Sequence, residues 1–333
     1  MNPGAAAFVP GSYAYASEPQ LPTVQIISTE EDLHKLLSWL GHESIISVDF
    51  EGADLSKGAW RNGEKLGSHV DHGRICLMQI GTRQGFAVAV DIMMLGARAF
   101  ELGLAMILES DRVVKVVHDF RQDADALKHQ YGIEPRGIFD CQLCNVFLRR
   151  LDNFRTNYVL GSSKLLSSYR IQQGSVAGYG VVTQEQKQRI HTRFSQDRHL
   201  WERRPLPADM VQYAVEDVKP MLQLQQIMFQ ELVQKLGNQQ VAWQLMLEGS
   251  QAYAADFLDL ECRCRLCCDA AANARFDGFR LKQRLQAVPP QRLPPHLLSR
   301  VLGREEDQEP LTAPGPSCFY VNSMDESVPL PIQ

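Results

Sequence analysis

Ser47-Val48-Asp49-Phe50-Glu51-Gly52 constrains this chain more than any other stretch. It follows Ile45-Ile46, and the alternation of a β-strand sends Val48 and Phe50 to one face and Asp49 and Glu51 to the other. Two carboxylates then share one side of one strand. Without compensation they repel and one is driven to hold its proton, so an ionised pair implies a cation. A strand with one solvated face is the plain alternative. The remainder of the chain has to decide between the two.

The 333 residues, 44% hydrophobic and 22% charged, suffice for one good core and a smaller appendage. A net charge of −5 lacks the basic footprint usual in nucleic-acid binders. That argument loses force if several acids are metal ligands. The eight cysteines include Cys76, Cys141, Cys144, a cluster from Cys262 to Cys268, and Cys318. They do not form a disulfide framework, and reduced thiols in cytosol or nucleus fit them. Residues 1–21 form a disordered N-terminal tail by this reading, without the basic start of a signal peptide. No apolar run is long enough to span a bilayer.

Val24 to Ile27 reads as a short strand, and Ser28-Thr29-Glu30-Glu31 as a capping box for a helix carrying Leu33, Leu36, Leu37 and Leu40. The strand Ile45 to Glu51 leads into a Gly-rich polar loop from Gly52 to Gly73. A loop of this length is more often functional than decorative. Arg74 to Thr82 and Gly85 to Asp91 suggest a hairpin, completing a three-stranded meander. Then come a helix from Gly96 to Leu108, a strand Val113 to Val117, a helix containing Asp123 and Leu127, a strand at Gly137 to Asp140, and a helix from Gln142 to Arg149. Meander followed by strand and helix alternation predicts a mixed α/β sheet with helices on its faces.

Gln172 to Val182 reads as a loop and Gln184 to Phe194 as a polar helix. Trp201 to Pro207 is a turn that introduces a helix from Ala208 to Leu222. Tyr213 and Asp217 lie one turn apart on it, so a phenol and a carboxylate reach the same place. A helix from Gln225 to Leu236 and a helical region from Val241 to about Leu285 follow. Val288 to the end is rich in Pro and reads as loosely ordered, with a short helix at His296 to Leu302.

Asp49 and Glu51 on a strand, Asp123 at a strand-to-helix junction, and Tyr213 with Asp217 on a late helix make five stations in a fixed order. The stretches that carry them are Val48-Asp49-Phe50-Glu51-Gly52, Lys115 to Leu127, and Tyr213-Ala214-Val215-Glu216-Asp217-Val218. Together they resemble the DEDDy branch of the 3′-to-5′ exonucleases, the ribonuclease D-like family. His118-Asp119 and Gln130-Tyr131-Gly132-Ile133 are most similar to its Egalitarian-like, exonuclease 3′-5′ domain-containing branch. The resemblance covers roughly Pro22 to Leu236, and its motifs are specific as a set and weak singly.

It implies a ribonuclease H-like α/β fold: an exonuclease domain over 22–236, a helical extension over 237–287, and a Pro-rich tail over 288–333. It implies metal-dependent hydrolysis of phosphodiester bonds from the 3′ end of single-stranded nucleic acid, RNA rather than DNA. Two Mg²⁺ or Mn²⁺ ions are the implied cofactors, since hard oxygen ligands suit them. By the resemblance Asp49 bridges both ions, Glu51 and Asp217 hold the nucleophile-side ion, Asp123 holds the other through water, and Tyr213 positions the attacking water. Some members of the Egalitarian-like branch have lost acids and act as RNA-binding adaptors, so an adaptor with little turnover is the alternative. This chain keeps all four acids and the tyrosine, while its Gly52 to Gly73 loop is longer than the family's usual connection.

Plainer readings stand beside these. Asp119 rivals Asp123 for the second station and family register favours Asp123. Asp125 and Glu216 read as solvated helix positions, Asp140 as an N-cap, and His118 as a core histidine bonded to backbone. Cys262 to Cys268 lacks a second ligand pair for zinc, so reduced thiols are preferred. Lys57, Arg61 and Lys65 either approach phosphates or are solvated. Residues 241–285 cover the catalytic domain, pair with a protein partner or a second copy, or follow an RNA backbone with their basic end. No membrane association is expected.

Overall fold

The computed structural model describes residues 26–53, 73–154, 159–171, 199–258, 278–285 and 294–302, with a few short pieces between them. The N-terminal tail, the 172–182 loop, the Cys262 to Cys268 cluster, Cys318 and most of the 52–73, 184–194 and 288–333 segments lie outside the described residues.

A six-stranded sheet forms the centre, in the order β1 (Ile26–Ile27), β6 (Ala87–Asp91), β5 (Arg74–Gly81), β2 (Ile45–Ala53), β7 (Val114–Val117), β8 (Ile138–Asp140). β2, β5 and β6 are the antiparallel meander, and β7 and β8 run parallel to β2. Trp60–Arg61 and Glu64–Lys65, β3 and β4, pair antiparallel with each other inside the 52–73 segment. Val48 and Phe50 enter one core layer with Leu33, Leu36 and Leu40 of α1 (Glu30–Leu40) and Leu127 of α4 (Arg121–Tyr131). Thr29 caps α1, its hydroxyl accepting from the Asp32 N–H at 3.2 Å. A second layer joins Phe139 of β8 with α5 (Cys141–Leu151), α6 (Ser162–Ser168) and the later helices.

The helix expected over Gly96 to Leu108 is broken. A turn of helix, α2, occupies Ile92–Leu95, a π-helical turn covers Phe100–Leu104, and α3 is Ala105–Leu108. Gly96 and Gly103 have φ of +60° and +149°, which glycine tolerates and a continuous helix does not. Gly103 also accommodates Leu37, whose Cδ1 would stand 3.2 Å from a Cβ there. The helix expected to run from Ala208 to Leu222 ends sooner. α7 spans Ala208–Val218 and α8 spans Met221–Leu236, because Pro220 has no N–H to continue the ladder and serves as N-cap of the next helix.

Beyond α8 lie α9 (Gln239–Ala254), a 3₁₀ turn at Ala255–Phe257, α10 (Gly278–Leu285) and α11 (Pro295–Leu302). The region expected to be helical from Val241 to Leu285 is thus interrupted at 255–257. Ala242, Leu245, Met246 and Tyr253 of α9 are buried in the layer with Phe139, as are Leu297, Leu298, Val301 and Leu302 of α11. Among the alternatives for this region, α9 takes the one that covers the sheet.

Candidate active site

β2 passes through a bulge near its end. Glu51 pairs with Leu77 and Gly52 with Ile75, so Cys76 of β5 is the extra residue, and such an irregularity re-aims neighbouring side chains. Gly52 is required there, because a Cβ would lie 2.1 Å from the Arg74 carbonyl oxygen. Asp49 and Glu51, both half-buried, stand just before it.

Because β7 runs parallel to β2, its C-terminal end emerges on the side of Asp49 and Glu51. The turn His118 to Phe120 then feeds α4, whose first turn carries Asp123. Asp123 is buried. Its carboxyl is pushed well above the usual range by burial and then by the negative charges of Asp49, Asp119 and Asp140.

α7 crosses β2, β5 and β6. The Ser47 hydroxyl donates to the Val218 carbonyl oxygen at 2.7 Å. Gly81 leaves the space, since a Cβ there would lie 2.4 Å from Ser47 Oγ and 3.1 Å from that carbonyl. The contact brings Tyr213 and Asp217 over the end of β2. The Tyr213 phenol is pushed up by burial, then by the charges of Asp217, Glu51 and Asp49, and it hydrogen-bonds Asp217. It therefore keeps its proton. Trp201 lies against it with ring centroids 6.1 Å apart. Arg204 fixes the preceding turn through a fork onto Asp91, with both N···O distances 2.6 Å.

Asp123, Tyr213, Asp217 and Glu51 thus fall in one electrostatic neighbourhood around Asp49. Among the described residues, however, no three His, Cys, Asp or Glu side chains stand close enough together to hold a metal ion.

Asp119, the rival for the second station, is engaged by Arg121. Its carboxylate accepts from Arg121 Nε and Nη2 at 2.6 and 2.9 Å; burial opposes its charge, but Arg121, with His118 and Gln142, holds the carboxyl below its ordinary range. Asp140 is an N-cap, accepting from the Gln142 N–H at 2.8 Å and the Leu143 N–H at 3.3 Å. His118 Nε2 lies 3.0 Å from the Leu160 carbonyl oxygen, the backbone bond expected, although the residue is half-buried and not in the core. Asp125 and Glu216 are not solvated. They are 0% and 1% exposed, because each faces inward with a partner a turn away: His129 for Asp125 at 3.4 Å, and Lys219 for Glu216.

Gln79 escaped the sequence reading. It is fully buried, pairs across the sheet with Asp49, and neither of its amide atoms meets a hydrogen-bond partner among the described residues. Alternation puts it on the face of Asp49, and the signal becomes visible only once the β2–β5 register is known.

A 3′-5′ exonuclease family model matches residues 24–233. The chain belongs to the DEDD 3′-5′ exonuclease family. The piRNA biogenesis protein EXD1 of Mus musculus is 28% identical over 226 residues, which are 67% of this chain and 36% of that protein. Ribonuclease D of Gluconacetobacter diazotrophicus is 26% identical over 219 residues, 66% of this chain and 46% of that one. The aligned part is less than half the length of either relative. Trypanosoma brucei RNase D, solved in complex with RNA U12, superposes with a TM-score of 0.53 at 20% identity over 78% of each chain. Its fold agrees with the ribonuclease H-like sheet found here. No helix among the described residues is long and apolar enough to cross a membrane.

Proposed function

We propose that this DEDD family member is a DEDDy-type exonuclease that removes nucleotides from the 3′ end of single-stranded nucleic acid, RNA rather than DNA. The observation that carries the reading is the convergence of Asp123 and the Tyr213–Asp217 pair on Asp49 at the end of β2. Asp49, Glu51, Asp123 and Asp217 would hold Mg²⁺ or Mn²⁺, two ions in all. The donor set fits such ions, being all carboxylate oxygen, and a buried Asp123 beside Asp49 lacks only a cation to favour its ionised form. What the ions supply when bound is Lewis acidity toward the phosphate and an acidified water.

The rest falls to the chain. Tyr213, protonated and hydrogen-bonded to Asp217, orients the attacking water and does not deprotonate it. The RNA preference is supported by the RNA complex of the trypanosomal RNase D and by the piRNA role in the mouse relative's name. Free, buried Cys76, Cys141 and Cys144 favour a reducing compartment, cytosol or nucleus.

One observation favours a second reading, an RNA-binding adaptor with little turnover: the acids are not gathered into metal-holding reach. Mutual repulsion of uncompensated carboxylates accounts for that spacing equally well. End-labelled single-stranded RNA incubated with Mn²⁺ or with chelator separates the two. Laddered shortening from the 3′ end in Mn²⁺ alone is expected, and Asp49→Ala or Asp217→Ala should lower it by roughly a thousandfold or more. Intact RNA retained in a complex would favour the adaptor, and undiminished turnover in either variant would end the site assignment.

A further inference from the structure

The family match ends at residue 233, yet α9 and the Ala255–Phe257 turn return to the junction that carries Asp123. The Arg121 guanidinium, on a residue 1% exposed, lies over the rings of Tyr253 and Phe257, with Cζ 4.7 and 4.8 Å from their centroids. Asp256 Oδ2 is 3.7 Å from Arg121 Nη1. Asp256 is itself held by Arg284 of α10, whose Nη1 is 3.2 Å from the other carboxylate oxygen and 3.2 Å from the Ala252 carbonyl oxygen. The Tyr253 hydroxyl donates to Gln142 Oε1 at 2.7 Å, at the start of α5.

The other edge of Arg121 forms the two-pronged bond to Asp119, the geometry in which a guanidinium specifies direction as well as charge. Asp119 has φ +58°, a left-handed conformation that a non-glycine residue keeps only where its surroundings over-determine it. Those surroundings are the Arg121 fork and the Asp140 carboxylate, which accepts from the N–H groups of Asp119 and Phe120 at 3.2 and 3.0 Å. The turn so fixed swings the chain out of β7 and into α4, and sets where Asp123 stands.

We propose that the C-terminal helical unit is a positioning element of the exonuclease site: Tyr253, Asp256 and Phe257 fix Arg121, Arg121 fixes the left-handed turn at Asp119, and that turn aims Asp123. An aliphatic side chain would fill the same space without a buried charge. The cation is explained by the direction it imposes on Asp119. The inference rests on the reading of Asp123 as a metal ligand.

Mn²⁺ binding to the full chain without RNA, followed by the electron paramagnetic resonance of free Mn²⁺, tests it apart from turnover. Arg121→Lys keeps the charge and loses the fork, and Asp256→Asn keeps the volume and loses the charge. Each should raise the Mn²⁺ Kd by roughly threefold to tenfold, below the roughly 10- to 100-fold loss of a partner bonded directly to a ligand, since both residues act through intervening ones. Turnover should fall mainly in kcat, excess Mn²⁺ should restore much of it, and RNA affinity in chelator should be unchanged. Folded variants with unchanged Mn²⁺ affinity and kcat but a lower Tm would reduce the clamp to a stability device and overturn the proposal. If Arg121→Lys does not fold, Asp256→Asn alone decides. Asp123→Ala separates the two claims: retained Mn²⁺ affinity there overturns the ligand reading and the positioning claim with it. If Asp123→Ala loses Mn²⁺ and Asp256→Asn does not, only the positioning claim falls.

Discussion

β7 has a buried cation toward each end, and the two are handled in opposite ways. Lys115, near its start, is 0% exposed and donates to the carbonyl oxygens of Ile107, Ser110 and Val113 at 3.1, 2.6 and 2.7 Å. Burial pulls its amine down to about 7, with Asp111 pulling weakly the other way. Arg121, just past the other end, is opposed by burial as well, but Asp119, Tyr253 and Asp256 outweigh it and its charge is held. The lysine's partners all lie within eight residues of it, where they close the end of α3. The arginine draws partners from a segment far along the chain. A cation caged by local carbonyls serves its own corner, whereas one paired across the chain makes a distant helix answerable for the geometry of a turn.

Removing the charge at each end should expose that difference. Arg121→Met leaves the half-buried Asp119 without its fork and Asp256 with Arg284 alone, a loss toward the lower end of the about 3–5 kcal/mol of a broken buried pair, and turnover should collapse with it. Lys115→Met leaves carbonyls unsatisfied and should cost about 1–3 kcal/mol, with kcat and Mn²⁺ affinity of the folded protein unchanged. Urea midpoints and single-stranded RNA turnover measured on both variants decide it. Equal losses of activity per unit of lost stability would erase the distinction between the two ends.

The fold was legible where side-chain periodicity is strong. The alternation through Ile45 to Glu51 and the apolar runs at 74–82 and 85–91 mark three strands, and the short turn between the last two forces their pairing. It was least legible where one residue interrupts a pattern, as at Gly103 and Pro220. Polar residues on helices misled for a related reason: Asp125 and Glu216 look solvated until tertiary packing covers their faces. The five candidate site residues stood out because hard cations favour carboxylate ligands and because their order resembles that of the exonuclease family. Arg121 did not, because a basic residue at the start of a helix is ordinary and Asp256 is remote in sequence. Gln79 did not, because its meaning depends on lying opposite Asp49.

The smallest expected effect is a pH slope that belongs to Lys115 alone. Its amine titrates near 7 in the folded protein, against 10.5 ordinarily, so between these values the unfolded chain holds a proton that the folded chain has released. Unfolding then takes up protons, and folding stability rises with pH across that window by at most about 1.4 kcal/mol per pH unit. Below pH 7 both states are protonated and the contribution is flat at its least favourable. Cys141 and Cys144 act in the opposite sense, since burial pushes their thiols well up and unfolding at alkaline pH then releases their protons. The difference between the wild-type protein and Lys115→Met cancels them. Urea unfolding of both at pH 6.5, 7.5 and 8.5 should show the wild-type advantage growing with pH. A constant difference would mean that the three carbonyl acceptors keep the ammonium charged, and the two ends of β7 would then differ in the reach of their partners and not in the charge they carry.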